Sequence, residues 1–307
     1  MKLYLLSGFL GAGKTTFLNH VLDQNPDKKV GIIMNEFGKI GIDGPILERD
    51  GLEMVELNRG SIFCSCLQLS FVQAMVEMSK MNLDYLIVES SGLADPSNIS
   101  EVLDCVKAEV GDVYQYSGSI CLVDGLHFLE QDDELETIKR QIQCSHIAFI
   151  NKVEDAPAEQ VQIISDRINT YNPSIYLEKG SYGKLERPFL GEDLTDEKTF
   201  YTPSLNTKEN KPKTLHLTFD GQVDQEKLNR FIEQVSAHAY RIKGFVATSQ
   251  GQQEVHGVLS QVEWKATDKE LDQSTLVFIS KIGPGIIKHI SDAWKAEIGQ
   301  PMKLGNG

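Results

Sequence analysis

Gly8-Phe9-Leu10-Gly11-Ala12-Gly13-Lys14-Thr15 fits the spacing G-x-x-x-x-G-K-[ST]. In such a run the glycines let successive backbone N–H groups turn inward on phosphate oxygens. Lys14 then reaches the β- and γ-oxygens, and Thr15 offers its hydroxyl to Mg²⁺. The flanks agree with that geometry. Lys2-Leu3-Tyr4-Leu5-Leu6 has the composition of a short buried strand, and Thr16-Phe17-Leu18-Asn19-His20-Val21-Leu22 opens a helix whose positive end would carry the phosphate. The start of the chain is thereby restricted to a strand, a loop and a helix in that order. The residues predicted to hold a nucleoside triphosphate, GTP or ATP, are Gly8, Gly11, Ala12, Gly13, Lys14, Thr15 and Thr16.

Apolar runs at 30–34, 85–88, 119–123, 146–150 and 175–177 follow, separated by helical patterns at 71–81, 99–108, 135–143 and 158–171. Continuous apolar strands alternating with helices predict an α/β domain, a P-loop NTPase domain with a mainly parallel sheet covered on both faces. Ligands in such sheets collect at the carboxyl ends of the strands. From about 190 to 213 the apolar periodicity disappears into Thr, Glu, Asp, Asn, Lys and Pro, the pattern of an interdomain linker. Beyond it the rhythm changes. Strands are expected at 214–219, 244–248, 254–264 and 275–280 and helices at 225–237 and 286–298, which make a smaller C-terminal α+β domain. The expected organisation is therefore 1–190, a linker at 191–213, and 214–307.

Two further segments extend the nucleotide site. Leu86-Ile87-Val88-Glu89-Ser90-Ser91-Gly92 puts an acid at the end of an apolar strand with a glycine three residues on. In nucleotide hydrolases such an acid holds the Mg²⁺ shell or its water, and the glycine N–H senses the γ-phosphate. Glu89 and Gly92 are the candidates here, with Lys14 and Glu89 carrying catalysis. Asn151-Lys152-Val153-Glu154 follows the strand at 146–150, where guanine-binding proteins carry Asn-Lys-x-Asp. The carboxylate in that motif accepts two hydrogen bonds from guanine N1–H and N2–H₂. Glu154 is one methylene longer than the usual acid, so GTP is favoured over ATP on a motif that departs from its pattern at one residue. Between these segments, Asn35-Glu36-Phe37-Gly38-Lys39-Ile40-Gly41-Ile42-Asp43-Gly44 has the character of a switch loop, with Glu36 and Asp43 able to touch Mg²⁺ or another divalent metal.

Composition narrows the function class. With 44 acidic against 30 basic residues the net charge is −14, which excludes broad binding to nucleic acid or to anionic membrane. No apolar stretch has the length a bilayer needs, and the first residues enter a strand at once, so a cytoplasmic location is expected. Five cysteines form no even framework, as expected where thiols stay reduced. Cys105, Cys121 and Cys144 fall in apolar or helical patterns and are expected as core thiols, whereas Cys64 and Cys66 form a pair. The seven histidines show no ligand spacing. Arg241 and Lys243 are expected as a solvated basic edge.

The chain resembles the CobW-like proteins, P-loop GTPases related to the nickel-inserting accessory proteins of hydrogenase and urease. The likeness is carried by the phosphate loop with Ser7 and Thr16, by Asn35-Glu36-Phe37-Gly38 with Gly41-Ile42-Asp43, and by Glu56-Leu57-Asn58-Arg59-Gly60. It continues through Glu89-Ser90-Ser91-Gly92-Leu93-Ala94-Asp95-Pro96 and Asn172-Pro173, then into the second domain at Arg241-Ile242-Lys243-Gly244-Phe245-Val246 and Leu276-Val277-Phe278-Ile279. The resemblance implies a GTP-hydrolysing domain with a smaller C-terminal domain. It further implies a role in delivering metal to, or activating, a metalloprotein or corrinoid-dependent client. The family's metal signature is Cys-x-Cys-Cys after an Asn-x-Gly turn, yet this chain has Gly60-Ser61-Ile62-Phe63-Cys64-Ser65-Cys66. One ligand, Cys64, carries over, and Cys66 is additional. Such a pair suits Zn²⁺, Co²⁺ or Cu(I) but leaves a tetrahedral site incomplete. Glu36, a partner protein or a second copy of this chain, as a homodimer, would complete it. Two alternatives stay open: a metal-independent, nucleotide-gated protein chaperone, and a P-loop small-molecule kinase, against which Asn151-Lys152 and the switch-like loop speak.

Overall fold

In a computed structural model of the 307-residue chain, the residues described are 1–35, 53–57, 68–195, 213–258, 261–268 and 271–306. The chain divides into two compact units, Met1–Asn210 and Lys211–Gly307.

The first unit is built on seven strands: β1 (Lys2–Gly8), β2 (Val30–Asn35), β3 (Glu53–Leu57), β4 (Tyr85–Glu89), β5 (Gln115–Asp124), β6 (Ile147–Asn151) and β7 (Tyr176–Lys179). They lie in the order β3-β2-β4-β1-β5-β6-β7, every pairing parallel. The connecting helices are α1 (Lys14–Gln24), α2 (Gln68–Ser79), α3 (Ile99–Val110), α4 (Phe128–Glu134), α5 (Glu136–Gln143) and α6 (Ala158–Tyr171). This is the α/β architecture that the alternation of apolar runs and helical patterns predicts. The pattern at 135–143 accounts for α5 alone, and α4 precedes it.

Strand alternation explains why a run as apolar as Leu3-Tyr4-Leu5-Leu6 must be central. Tyr4 and Leu6 enter a core with Phe17, Leu18 and Val21 of α1, while Leu3 and Leu5 enter a second core with Phe71 and Met75 of α2 and Val102 of α3. All four are at most 1% exposed, and burial of each such side chain contributes about 1.5–3 kcal/mol. In α1 the buried residues Lys14, Phe17, Leu18, Val21 and Leu22 recur at helical spacing. The chain runs to one side of β1 through β2, β3 and β4, then crosses to the other side for β5, β6 and β7. The carboxyl ends of β1, β4 and β5 therefore border the crevice where strand order reverses, the usual ligand position in such sheets.

Residues 191–195 are bonded to this unit. Lys2 Nζ donates to the Gly191 carbonyl, Tyr4 Oη donates to Glu192 O at 2.6 Å, and Leu194 N donates to Ser117 O at 2.8 Å. Their polar composition reflects exposure rather than detachment.

The second unit contains β8 (Thr214–Phe219), α7 (Gln225–Ser236), β9 (Ala239–Thr248), β10 (Gly251–Val258), β11 (Gln261–Ala266), β12 (Ser274–Ser280), α8 (Ile286–Glu297) and β13 (Lys303–Asn306). Its six strands pair antiparallel in the order β11-β10-β9-β12-β8-β13. Phe219, Phe231, Phe278 and Trp294 fill its core, with Phe231 and Trp294 edge to face at 5.1 Å. Asp224 caps α7 by accepting from Lys227 N at 3.0 Å. The single strand expected at 254–264 is corrected to two, β10 and β11, paired as a hairpin from Val258 opposite Gln261.

Two other expectations are corrected. Cys105 is exposed: on α3 the core face is set by Ile99, Val102 and Val106, and position 105 falls off it. Lys243, expected on a solvated edge, is 5% exposed, because β9 lies inside the sheet between β10 and β12.

Candidate nucleotide site

The loop between β1 and α1 has the backbone that its glycines permit. Gly8, Gly11 and Gly13 have φ of 134°, 81° and 96°, a region where a side chain is strained. The loop closes on itself through Ala12 N to Phe9 O at 3.2 Å. α1 follows directly with Gly13 at its N-cap and no side-chain capping bond there, so its first-turn N–H groups face an anion site. Lys14 is 8% exposed and its Nζ donates to the Gly8 and Phe9 carbonyls at 2.9 and 3.2 Å. The ammonium is thus held over the loop.

β4 delivers the second motif to the same place. Its register with β1 puts Glu89 opposite Leu6, and Ser90 N donates to Leu6 O at 2.8 Å. Glu89 is 8% exposed. Gly92 then passes so close to the phosphate loop that a Cβ on it would lie 2.6 Å from Leu10 N. Gln141 of α5, fully buried, holds this segment by donating from Nε2 to the Gly92 and Ala94 carbonyls at 3.2 and 3.0 Å. Thr15 in the first turn of α1 and Glu89 at the end of β4 supply oxygen donors alone, a set that fits Mg²⁺.

The third motif leaves β6. Asn151, 3% exposed, donates from Nδ2 to Ala12 O at 3.0 Å and accepts at Oδ1 from Gly183 N at 3.0 Å. One side chain thereby joins the phosphate loop to the turn after β7. Lys152 has φ 61°, and its Nζ donates to Asp124 Oδ2 at 2.8 Å. Asp124 is 2% exposed and also accepts from Leu126 N at 2.9 Å and pairs with His127 Nδ1 at 3.1 Å. Burial pushes its carboxyl up, but the His127 hydrogen bond and the Lys152 charge outweigh burial and hold it below the usual carboxylate range. The Glu154 carboxylate accepts a hydrogen bond from the Ser181 hydroxyl.

The structure therefore gathers Gly8, Gly11, Ala12, Gly13, Lys14, Thr15, Glu89, Gly92, Asn151, Lys152 and Glu154 around the carboxyl ends of β1, β4 and β6. Thr16 is exposed on α1. Sequence reasoning misses Asp124, Gln141, Ser181 and Gly183. Asp124 ends an apolar strand, as Glu89 does, and Gly180-Ser181-Tyr182-Gly183 is a turn-forming run, so three of the four carry some local signal and Gln141 carries none.

The candidate metal residues Glu36, Asp43, Cys64 and Cys66 lie outside the described residues. Among the described residues no three His, Cys, Asp or Glu side chains come together as a metal site, and no helix is long and apolar enough to cross a membrane.

Residues 2–177 match the CobW/HypB/UreG nucleotide-binding domain, and residues 213–290 match the cobalamin synthesis protein CobW C-terminal domain. Among curated proteins, the zinc chaperone YjiA of Escherichia coli K12 is 31% identical over 175 residues, covering 55% of this chain and 55% of that protein. The zinc-regulated GTPase metalloprotein activator 1 of Dictyostelium discoideum is 27% identical over 209 residues, 56% of this chain and 44% of that protein. The chain spans about half the length of the curated relatives it matches. Among solved structures, Zn(II)-bound YjiA GTPase from E. coli aligns over 97% of this chain and 98% of that one, at 21% identity and a TM-score of 0.48. HypB from Helicobacter pylori in complex with nickel aligns over 59% of this chain and 79% of that one, at 19% identity and a TM-score of 0.42.

Proposed function

The chain belongs to the CobW/HypB/UreG family, and from that premise we propose that it is a GTP-hydrolysing metallochaperone that delivers metal to, or activates, a client metalloprotein or corrinoid protein. The observation that carries the nucleotide part is the pair of hydrogen bonds made by Asn151, which ties the phosphate loop at Ala12 to the base-side turn at Gly183. A triphosphate on the loop and a purine at Glu154 then belong to one ligand. Lys14 neutralises the β- and γ-phosphates, and Gly92 senses the γ-phosphate through its backbone. Thr15 and Glu89 would hold Mg²⁺, which when bound offsets charge on the phosphate oxygens. Glu89 keeps the attacking water oriented. The Glu154 carboxylate, steadied by Ser181, accepts from the guanine edge and so favours GTP over ATP.

The metal part is supported by the names of the relatives, zinc chaperones and a zinc-regulated activator, and by the Cys64 and Cys66 pair in the sequence. Zn²⁺ is the favoured cargo and Co²⁺ the next, carried by Cys64 and Cys66 with Glu36 or Asp43 from the switch loop, and released when hydrolysis moves that loop. Hydrolysis without a partner is slow, as in other sites that a second protein completes. A cytoplasmic location is part of this reading, and the acidic composition accords with it.

Calorimetry with Mg²⁺ tests the first half: GTP binds more tightly than ATP, and uptake of neither overturns the proposal. Zn²⁺ titration with and without a non-hydrolysable GTP analogue tests the second. A nucleotide-dependent Zn²⁺ affinity, abolished in the Cys64→Ser/Cys66→Ser variant, is expected; equal affinity in both states removes the coupling.

A further inference from the structure

Two non-glycine residues among those described have a left-handed backbone, Lys152 at φ 61° and Tyr182 at φ 54°. Both belong to the base side of the nucleotide site. For a residue as bulky as tyrosine this conformation is unfavourable by about 1–2 kcal/mol, so it persists where neighbouring contacts over-determine it. Those contacts are visible. On one side of Tyr182 the Ser181 hydroxyl bonds to the Glu154 carboxylate, and on the other Gly183 N donates to Asn151 Oδ1 at 3.0 Å. Two residues before Tyr182, Gly180 N donates to Ile150 O at 2.9 Å and its carbonyl accepts from Val153 N at 3.4 Å. Gly183 cannot shift inward, since a Cβ there would already lie 2.6 Å from Phe17 Cα.

The turn is therefore fixed to both ends of the Asn-Lys-x-Glu loop, and Tyr182 is its apex. The residue is 66% exposed, and no aromatic or cation contact to its ring occurs among the described residues. Among the described residues, ring contacts thus give no reason for an aromatic side chain here. Asparagine or glycine would make the same turn at lower conformational cost. A large planar ring beside a loop that addresses a purine edge is what base stacking uses, because every base has a π-face.

We infer that Tyr182 is a nucleotide-binding residue whose ring stacks on the purine addressed by Asn151, Lys152 and Glu154; this rests on the nucleotide reading above. Stacking acts on any purine, so the ring raises affinity for guanine and adenine nucleotides alike and leaves discrimination to Glu154.

The test compares the full chain with Tyr182→Phe, Tyr182→Ala and Tyr182→Gly for binding of GDP, ADP and inorganic tripolyphosphate, which has no base. Tyr182→Phe is expected within about twofold of the parent for GDP. Tyr182→Ala and Tyr182→Gly weaken GDP and ADP each by about tenfold, with tripolyphosphate unchanged in all four proteins. Tyr182→Gly also relieves the backbone, so its loss of affinity reports the ring and not a distorted turn. GDP binding undiminished in Tyr182→Gly overturns the inference while leaving the nucleotide site intact, as does a parallel loss of tripolyphosphate, which marks a disturbed loop. If the parent chain binds tripolyphosphate but no nucleotide, or binds none of the three, the nucleotide reading itself fails and this inference with it.

Discussion

The Asn151 amide occupies the space that a side chain on Gly13 would need. Its Nδ2 donates to Ala12 O at 3.0 Å and lies 2.4 Å from where a Cβ on Gly13 would sit. Residues far apart in sequence thus fix the phosphate loop from outside. Gly13→Ala is expected to displace Asn151 and to strain a backbone at φ 96°. Nucleotide affinity should fall at least tenfold and stability by about 1–3 kcal/mol, measurable by calorimetry and by urea unfolding. An Asn151→Ala variant should lose affinity with less loss of stability, because it removes the bond without adding the clash.

Discrimination between bases should depend on Ser181. Its hydroxyl orients the Glu154 carboxylate, and bidentate acceptance from guanine demands a fixed carboxylate plane. Ser181→Ala should weaken GTP several-fold and leave ATP unchanged, narrowing their affinity ratio. Competition titrations of the two nucleotides on one preparation read that ratio directly.

Thiol chemistry should separate the cysteines by environment. Burial pushes the Cys121 and Cys144 thiols up to about 12, whereas Cys105 is exposed on α3. Since the thiolate is the reacting species, iodoacetamide at pH 8 should modify Cys105 while Cys121 and Cys144 stay protected until the chain unfolds. Peptide mapping by mass spectrometry assigns each site. Early modification of Cys121 would contradict its place in β5.

Asn172 predicts a large stability effect from a single polar residue. It is 3% exposed and donates to the Ile142 and Ser145 carbonyls at 3.1 and 2.9 Å while accepting from Ser174 Oγ at 3.0 Å. Asn172→Ala leaves two buried carbonyls without that donor, and each such loss costs about 1–3 kcal/mol. A drop of about 2–4 kcal/mol in urea unfolding is expected, with nucleotide affinity retained in the folded fraction.

How much of this is legible in sequence depends on how local the cause is. α6 over Ala158–Tyr171 and β8 over Thr214–Phe219 are set by their own apolar spacing, and both coincide with their expected ranges. β3 carries no such mark: Glu53-Met54-Val55-Glu56-Leu57 is a five-residue edge strand paired to β2 alone. The phosphate loop can be recognised because its chemistry needs consecutive residues. The roles of Asp124, Gln141 and Ser181 are not written locally, since their partners lie 28, 49 and 27 positions away. The parallel register of β1, β4, β5, β6 and β7 brings them into reach.

Asp124 gives the pH dependence a sign. Its native carboxyl is held below the unfolded value of about 3.9 by the His127 hydrogen bond and the Lys152 charge, against the opposing effect of burial. A group depressed in the folded state stabilises it fully above the unfolded value, and that contribution is lost as pH falls through the lower native value. The Asp124 share of stability is therefore complete above about pH 4 and disappears on further acidification. Asp124→Asn removes a titrating group, so the acid limb of the stability curve below pH 4 should flatten relative to the parent chain. The same substitution frees Lys152, whose Nζ now lies 2.8 Å from Asp124 Oδ2, so affinity for GDP should fall while that for tripolyphosphate holds. Urea unfolding at a series of pH values between 2.5 and 7, combined with GDP titration at pH 7, reads both effects. An acid limb of unchanged slope would mean that Asp124 does not titrate as its bonding requires.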